Sequence, residues 1–541
     1  MERRRFRTAA LAIVLLAATL RFWALDAGLP HTLTRPDEEM LLGELGGPAR
    51  GQWDLAWAVY PSAYVYLSWG WAAAGLEVGR QLGLVGTGDV FTTLRLRPER
   101  ILLLERVLSA LAGTATVALV MALARAALGP GAALAAGVLL ATSFLHARDS
   151  HAFKPDALFA LAVVAALGAM LPLARRGTVG RGAAAGAVIG LAMGIKYPAV
   201  ILVAPLWVAA VMGSAARGWR RVLPASAIVG GAVAGTVFVA TSPYLFINPH
   251  TRADMLRIFY VVFPQLGPVV PVPVVPPGTV DIPQTQHTWD GLAYHAAFSL
   301  RYGAGLLATL LAPCAVLWGL ASRRPPAVLG AVFALVYYAV CGTSPALLAR
   351  YMTPLVPVLA LLEAGLLAAL AARAGRCAGA VLALATALVA AEPLASAVAW
   401  DRLAARPDTR NLATAWLAEH APRGALVAVA GTRFWPYGVP RMPPGVQARV
   451  VQDRAEEVLG SGAAYLLTHD HPLFSSRVDP ALLGALAGRL EPLVDLDPFT
   501  SGGRTRAVFE PADAYYIPFH RFGAVERPGP HIRIYALRGG P

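Results

Sequence analysis

The sequence predicts a polytopic α-helical membrane protein with a small water-soluble α/β domain toward the C-terminus. Of the 541 residues, 57% are hydrophobic and 14% are charged, whereas soluble domains carry about 25% charged residues. The mean hydropathy is +0.56, and the basic residues fall in short groups between long apolar runs. This pattern is typical of membrane helices joined by positive cytoplasmic links. The net charge of +14 therefore does not indicate a nucleic-acid-binding protein.

Eleven apolar runs approach or reach the length of about 20 residues that a membrane-spanning helix needs. The first run follows a group of arginines and is not followed by a small-residue cleavage site. We therefore interpret it as an uncleaved helix whose N-terminus lies in the cytoplasm. The predicted spans are 9–25, 104–125, 130–147, 156–174, 181–196, 198–213, 222–246, 300–320, 326–342, 352–371 and 377–399.

The orientation follows from the charges of the short links. With the N-terminus inside, basic residues at 125, 175–181, 217–221, 323–324 and 373–376 all fall on the cytoplasmic side, as the positive-inside rule requires. Merging 181–213 into one span would move every later link to the opposite side of the membrane and would break the positive-inside rule. The segments predicted to lie outside the cytoplasm are 26–103, 147–156, 247–299 and everything after about 400.

A change of composition near Asp401 marks a domain boundary. Charges, prolines and turn residues return there, so we predict a membrane domain over 1–400 and a soluble domain over 401–541. Helical and β-type patterns alternate in the second domain, which predicts a small α/β fold. The helical pattern covers Thr409–His420, and the β-type runs are 425–430, 464–468 and His531–Leu537.

Two acidic clusters lie in segments predicted to be outside the cytoplasm. Asp37 and Glu38 follow a proline in the first segment, and Asp149 and Asp156 lie in the second. Helix capping is the plain alternative for Asp37, Glu38 and Asp156, because carboxylates in a first turn offset the helix dipole. Capping explains Asp149 less readily, since Asp149 directly follows Arg148.

Two cations are predicted on the same side of the membrane. Lys196 lies between two spans and Arg350 lies at the start of another. Lys196 has a plain alternative, in which its side chain extends toward the lipid headgroups. Carboxylates can deprotonate a hydroxyl or hold a metal, and cations can hold a phosphate. A transporter would place such charges near mid-membrane, so the arrangement favours chemistry at the outer boundary.

Several segments occur in the order and at the spacing of a known family. The chain resembles bacterial glycosyltransferases of the GT-C type, in the family 39 group with protein O-mannosyltransferases and lipid A aminoarabinose transferases. Relatives often carry a histidine where this chain has Arg35. The segments that carry the resemblance are RPDE at 35–38, RVLSALAGTATV at 106–117, HARDSHAFKPD at 146–156, GLAMGIKY at 190–197, TSPYLFINP at 241–249, RYMTPLVPVLAL at 350–361 and GPHIRIY at 529–535.

The resemblance implies the GT-C fold and transfer of a sugar from a polyprenyl-phosphate donor. The acceptor would be a protein, a lipid or a glycan on the extracytoplasmic face of the bacterial cytoplasmic membrane. The essential acidic pair of the family corresponds to Asp37 and Glu38, and the acidic residue of the second outer segment corresponds to Asp149.

The residue types fit this chemistry. Negative charge develops on the leaving phosphate, and cations placed beside it stabilise the transition state. Our candidates for this role are Lys196 and Arg350, followed by Arg148 and Arg106. A single displacement at the anomeric carbon is expected to invert its configuration.

A carboxylate is expected to take the proton of the attacking hydroxyl. We predict Asp37 as this base, with Glu38 and Asp149 orienting the acceptor or binding a divalent metal cation through oxygen ligands. Three scattered carboxylates do not establish a metal site, so no cofactor is assigned.

Further substrate-binding candidates are His151, Asp156 and Tyr197, together with Tyr60 and Tyr64 in the first outer segment. In relatives the segment that holds Tyr60 and Tyr64 frames the donor site. The alternative for these two aromatic residues is anchoring of interfacial helices in the lipid headgroups.

Other functions remain compatible with parts of the pattern. A transporter or flippase of lipid-linked sugars would share the membrane core and the phosphate-binding cations, but it would not require paired carboxylates at the outer boundary. A glycan ligase or polymerase would use the same donor class. A non-enzymatic membrane protein that recruits partners would leave the charged clusters unexplained. The sequence does not select the sugar or the acceptor.

Overall fold

The computed structural model describes residues 3–86, 88–262, 290–344, 347–433, 435–473, 475–511 and 515–538. The described residues form two compact units. The membrane unit contains 3–25, 40–262 and 290–397, and the C-terminal unit contains 26–39 and 398–538. A segment from the first predicted outer region therefore belongs to the same unit as the C-terminal residues.

A helix lies at each of the eleven predicted spans. Among the described residues, five helical stretches are long and apolar enough to cross a membrane, and four shorter apolar helices accompany them. This confirms the predicted polytopic α-helical fold class. The eleven helices are Arg3–Phe22, Pro98–Leu128, Pro130–Thr142, Asp156–Arg175, Val179–Ile195, Val203–Gly213, Ala225–Thr241, Leu306–Ala321, Pro325–Gly342, Val356–Ala371 and Ala378–Ala404.

Shorter elements connect these helices, and the first outer region holds a long one, Ser62–Gln81. The second helix of the list begins at Pro98, before the predicted start at 104. The hydrophobic run did not reveal its first turns because they contain charged residues. Residues 263–289, within the predicted outer segment 247–299, lie outside the described part of the chain. The connecting elements are Glu38–Leu45, Pro48–Arg50, Val90–Leu96, Phe144–Asp149, Tyr197–Leu202, Trp219–Val222, Tyr244–Ile247, Pro249–Val262, Asp290–Tyr294, His295–Leu300, Arg301–Gly303, Ala349–Met352 and Ala372–Cys377.

Helices Val179–Ile195 and Ala225–Thr241 pack with their backbones in contact. Small residues four apart line both surfaces, and a Cβ atom added at Gly186 would lie 2.0 Å from the carbonyl oxygen of Gly230. Small residues at this spacing let membrane helices approach closely, and association is then driven by van der Waals packing. The pair fixes the position of Lys196, which follows the first of these helices directly.

Replacement of Gly186 by alanine is expected to destabilise the membrane unit by about 1–3 kcal/mol, because the added methyl group overlaps backbone atoms. The measurement is the free energy of unfolding in detergent. Gly235→Ala is the matched control, since nothing lies within 4 Å of a Cβ atom there. An equal loss of stability in both variants would contradict close packing at Gly186.

The C-terminal unit is built around a five-stranded sheet. Its strands lie in the order β2-β1-β3-β5-β4, with β1 parallel to β2 and β3, and β5 antiparallel to β3 and β4. Its longest helix is Thr409–His420, as predicted. The strands are β1 Leu426–Ala430, β2 Gln447–Val450, β3 Tyr465–Asp470, β4 Leu490–Leu496 and β5 His531–Leu537. Further helices are Ala455–Leu459, Pro480–Ala485 and Gly503–Arg506, with short turns at Pro436–Gly438, Ala487–Arg489 and Phe522–Ala524.

Apolar residues cover both faces of the sheet. Ala428 and Leu466 belong to the core on one face, and Val429, Leu467 and Ile534 belong to the core on the other. The central strands are therefore buried on both sides, which explains their continuous apolar runs. The predicted small α/β domain is confirmed.

Candidate functional site

The second predicted outer segment of the membrane unit takes part in two buried ion pairs. The Lys196 ammonium donates to Asp156 Oδ1 at 2.5 Å, and Arg148 Nη1 lies 3.1 Å from Asp149 Oδ1. The Thr353 hydroxyl donates to the second oxygen of Asp149. All five side chains are buried. We call Arg148, Asp149, Asp156, Lys196 and Thr353 the outer polar cluster.

Local structure places these residues at helix ends. The short helix Phe144–Asp149 ends at Asp149, the membrane helix Asp156–Arg175 begins at Asp156, and Lys196 follows the end of Val179–Ile195. Asp156 lies in the first turn of its helix, after Pro155 at the cap position, and its carboxylate pairs with Lys196. Each charge therefore lies at or next to the end of a helix and not at its middle.

The two ion pairs are electrostatic neighbours. Burial raises the pKa of the Asp149 carboxyl, Arg148 opposes this effect, and the negative charge of Asp156 raises the pKa further. Positive charge from Lys154 acts in the opposite direction. The cluster therefore combines two carboxylates and their cations in one buried region, and removal of either cation would leave a carboxylate unbalanced.

The turn that carries Arg350 lies beside the same cluster. Arg350 and Tyr351 belong to the 3₁₀ turn Ala349–Met352, and Thr353 follows it. The Lys196 ammonium lies 5.6 Å from the centre of the Tyr351 ring. The Tyr337 hydroxyl donates to the Tyr351 carbonyl at 2.9 Å. Three predicted phosphate-binding residues, Lys196, Arg148 and Arg350, are thus in or next to one cluster.

Two other predicted residues contact the chain just after the first membrane helix. Arg106 Nη1 donates to the carbonyl of Leu25 at 3.1 Å, and His151 Nε2 lies 2.9 Å from the carbonyl oxygen of Trp23. Both side chains are fully buried. These contacts hold the end of the first helix against the helices that follow.

The predicted tyrosines pack inside the protein. The rings of Tyr60 and Tyr64 lie edge to face at 6.4 Å, and Tyr64 lies 6.1 Å from Phe153. Tyr60 is 7% exposed and Tyr64 is 1% exposed, so anchoring in lipid headgroups does not describe them. The Tyr197 hydroxyl donates to the Ala58 carbonyl at 2.9 Å.

The acidic residues of the first outer region belong to the C-terminal unit. We call residues 26–39 the acidic segment. Asp37 has a φ of +74°, a left-handed conformation that costs free energy for any residue with a side chain. Glu38 is buried and begins the helix Glu38–Leu45, in agreement with a capping position. The Arg35 guanidinium lies 5.2 Å from the ring centre of Tyr515.

Three side chains of the C-terminal residues hold the acidic segment. Arg410 Nη1 donates to the carbonyl of Leu33 at 2.9 Å, and Asn411 Nδ2 donates to the carbonyl of Gly28 at 2.9 Å. The Tyr437 hydroxyl donates to Glu39 Oε1 at 2.5 Å. The sequence patterns do not point to Arg410, Asn411 or Tyr437. Each is a single polar residue in an ordinary pattern, about 380 or more residues from its partner.

The environment of Glu39 makes its carboxyl a weak acid. Burial raises its pKa to about 7, the Tyr437 hydroxyl opposes this shift, and the charges of Asp37 and Glu38 raise the pKa further. The Glu39 carboxyl therefore keeps its proton to a higher pH than an ordinary glutamate does.

We expect the stability of the protein to fall as the pH rises from about 4.5 to about 7, because the unfolded state releases the Glu39 proton before the folded state does. Glu39→Gln should remove this loss, which is at most about 3 kcal/mol. The measurement is the free energy of unfolding at pH 5 and pH 8. The exposed Glu419→Gln serves as a control. An unchanged pH dependence in Glu39→Gln would contradict the raised pKa.

The predicted metal ligands do not form a recognisable metal site. Within the part of the chain that the structure describes, no group of three or more His, Cys, Asp or Glu side chains is arranged to hold a metal ion. Asp37 and Glu38 belong to one unit and Asp149 belongs to the other. We therefore derive no step that requires a metal.

A family comparison matches one continuous part of the membrane unit. Residues 103–247 match the profile of the family described as "Dolichyl-phosphate-mannose-protein mannosyltransferase". The match contains the segments at 106–117, 146–156 and 190–197 that carried the resemblance. A search of curated protein sequences found no significant match.

Solved structures share the fold at low sequence identity. ArnT from Cupriavidus metallidurans bound to undecaprenyl phosphate is 15% identical, with a TM-score of 0.50 and 97% of each chain covered. AglB, an oligosaccharyltransferase from Archaeoglobus fulgidus in complex with an inhibitory peptide and a dolichol-phosphate, is 14% identical. Its TM-score is 0.50, with 86% of this chain and 69% of that chain covered. The chain spans 62% of the apo form of the Archaeoglobus fulgidus oligosaccharyltransferase, with 79% of this chain covered, 14% identity and a TM-score of 0.49.

Proposed function

We propose that this chain, a multi-pass membrane glycosyltransferase of the GT-C class, transfers a sugar from a polyprenyl-phosphate donor to an acceptor on the extracytoplasmic face of the bacterial cytoplasmic membrane. The family match over 103–247 and the shared fold support this class. The observation that carries the donor proposal is the outer polar cluster, in which buried cations and carboxylates meet at the ends of membrane helices.

The cations of the cluster suit a leaving phosphate. An ammonium has three N–H donors, and the pair with Asp156 uses one of those of Lys196. We propose that Lys196, Arg148 and Arg350 bind the donor phosphate and stabilise the negative charge that it gains in the transition state. We propose the same role for Arg106, which lies on the helix Pro98–Leu128.

We propose Asp37 as the general base. The bond between the anomeric carbon and the phosphate oxygen breaks, a bond to the acceptor oxygen forms, and the acceptor proton passes to the Asp37 carboxylate. A single displacement of this kind inverts the anomeric configuration. The resemblance of the RPDE motif and the strained backbone at Asp37 support this role. Glu38 and Asp149 would orient the acceptor.

The test is the release of free polyprenyl phosphate from a panel of polyprenyl-phosphate sugars. Purified protein in detergent is incubated with each donor, with and without a crude membrane extract as the acceptor source. We expect release from one donor class and only when the acceptor is present. Release without any acceptor would indicate hydrolysis, and binding of the lipid without release would favour the transporter or flippase alternative.

A further inference from the structure

The acidic segment is attached to the C-terminal residues at three separate points. Asn411 holds its beginning at Gly28, Arg410 holds its middle at Leu33, and Tyr437 holds its end at Glu39. Asn411 Nδ2 also lies 3.1 Å from the carbonyl oxygen of Leu29. A segment fixed at both ends and in the middle has few conformations left.

Arg410 is itself held rigidly. Its Nε and Nη2 atoms donate to the two oxygens of Asp408 at 2.8 and 2.6 Å, and Asp408 also accepts from the Arg410 backbone N–H at the start of the helix Thr409–His420. This pairing leaves Nη1 for the carbonyls of Leu33 and Tyr437, at 2.9 and 2.7 Å. The guanidinium also lies 4.9 Å from the centre of the Tyr516 ring.

The charge of Arg410 is balanced by Asp408. Its contact with Leu33 therefore depends on the direction of its N–H groups and not on its net charge. A guanidinium offers donors in a fixed planar fork, which a lysine does not have. Both Arg410 and Asp408 are buried, at 1% and 2% exposure. Lysine at position 410 would keep the ion pair but could not also satisfy both carbonyls.

The attachment points lie on both sides of the strained residue. Leu33 is four residues before Asp37, and Glu39 is two residues after it. A left-handed non-glycine residue persists only when its surroundings fix it, and the three contacts contribute to that fixation. Loss of these contacts is expected to loosen the backbone around Asp37 and to let its carboxylate leave its present orientation.

We propose that Arg410, Asn411 and Tyr437 are positioning residues, which hold the acidic segment so that Asp37 keeps its reactive orientation. The inference rests on the proposed function, since it assigns these residues to the transfer reaction. They would act through the acidic segment and would not touch the substrate themselves.

The test compares Arg410→Lys, Asn411→Ala and Tyr437→Phe with the wild type, using the full chain and the donor that the wild type cleaves. One readout is hydrogen exchange of the backbone amides at 26–39, and the other is kcat and KM for the donor. We expect Arg410→Lys to speed exchange in the segment at least 10-fold and to lower kcat about 100-fold, because small displacements of a reacting group cost that much. KM for the donor should stay within about 2-fold of the wild-type value, since the contacts that bind the donor equally in the ground state and the transition state are unchanged.

The smaller changes should have smaller effects. Tyr437→Phe removes one hydrogen bond and is expected to lower kcat about 5- to 10-fold. Arg433→Lys is the matched control, because the Arg433 guanidinium pairs with Asp453 and donates to the Arg477 carbonyl, both in the same unit and both outside the acidic segment. Its exchange at 26–39 and its kcat should equal those of the wild type.

Unchanged exchange at 26–39 in all three variants would overturn the anchoring. Faster exchange with unchanged kcat would overturn the positioning role and leave the proposed function intact. If the wild type transfers no sugar from any donor, the proposed function fails and the positioning role fails with it. If Arg410→Lys also speeds exchange in β1 and β3, the unit has unfolded, and Asn411→Ala, which removes a partly exposed side chain, decides instead.

Discussion

Asp37→Asn is expected to lower the rate of sugar transfer by about 10²–10⁴-fold, the usual contribution of a general base. The amide has nearly the same shape as the carboxylate but cannot take the acceptor proton. Asparagine is also among the residues that best tolerate a left-handed backbone. The variant should therefore keep the φ of +74° seen at Asp37 and remain folded.

The measurement is single-turnover release of polyprenyl phosphate, with binding of the donor followed in parallel. Asp26→Asn is the matched control, because Asp26 is an exposed acid of the same segment. It should leave the rate unchanged. Normal transfer by a folded, membrane-inserted Asp37→Asn protein would show that another group is the base.

Lys196→Met is expected to have the largest effect on stability. It leaves the Asp156 carboxylate, 1% exposed, without its cation, and breaking a buried ion pair in this way costs about 3–5 kcal/mol. Sugar transfer should be lost as well, because Lys196 is proposed to bind the donor phosphate. The measurement is the free energy of unfolding in detergent together with the transfer rate.

The double variant Lys196→Met with Asp156→Leu separates the two roles of this lysine. Replacing both partners of a buried pair with apolar residues is often neutral or stabilising, so stability should return. Transfer should not return. Arg301→Met is a control, since the Arg301–Glu392 pair is partly exposed and should contribute about 0–1 kcal/mol. A stable and active double variant would assign Lys196 a structural role alone.

The sequence was sufficient to predict the elements that bury apolar surface. A described helix lies at each of the eleven predicted spans, and strands β1, β3 and β5 lie at predicted β-type runs, because hydrophobic runs mark these elements directly. Strand β2 is exposed along its length and β4 is mostly exposed. Both lie at the edges of the sheet and have no apolar run to identify them.

The charged site residues were selected because ionisable groups between apolar runs are costly and need partners. The partners themselves were harder to predict. Asp156 was predicted to bind substrate, with helix capping as the alternative, and Lys196 was predicted to bind the donor phosphate, with extension toward the headgroups as the alternative. No prediction joined the two, which form one ion pair across 40 positions. That pairing depends on how the helices pack, which periodicity does not report. The same reason hides Arg410, whose partner Leu33 lies 377 positions away.

The separation of 377 positions between Leu33 and Arg410 has a consequence for synthesis on the ribosome. Chains elongate at about 5–20 residues per second, so Arg410 is made about 20–75 s after Leu33. Strand β5, which lies between β3 and β4, is made later still. A nascent chain thus carries Asp37 for most of its synthesis without the residues that orient it. Under the proposed anchoring, such a chain inserts its membrane helices before it can transfer sugar. It becomes active only after the five-stranded sheet has formed.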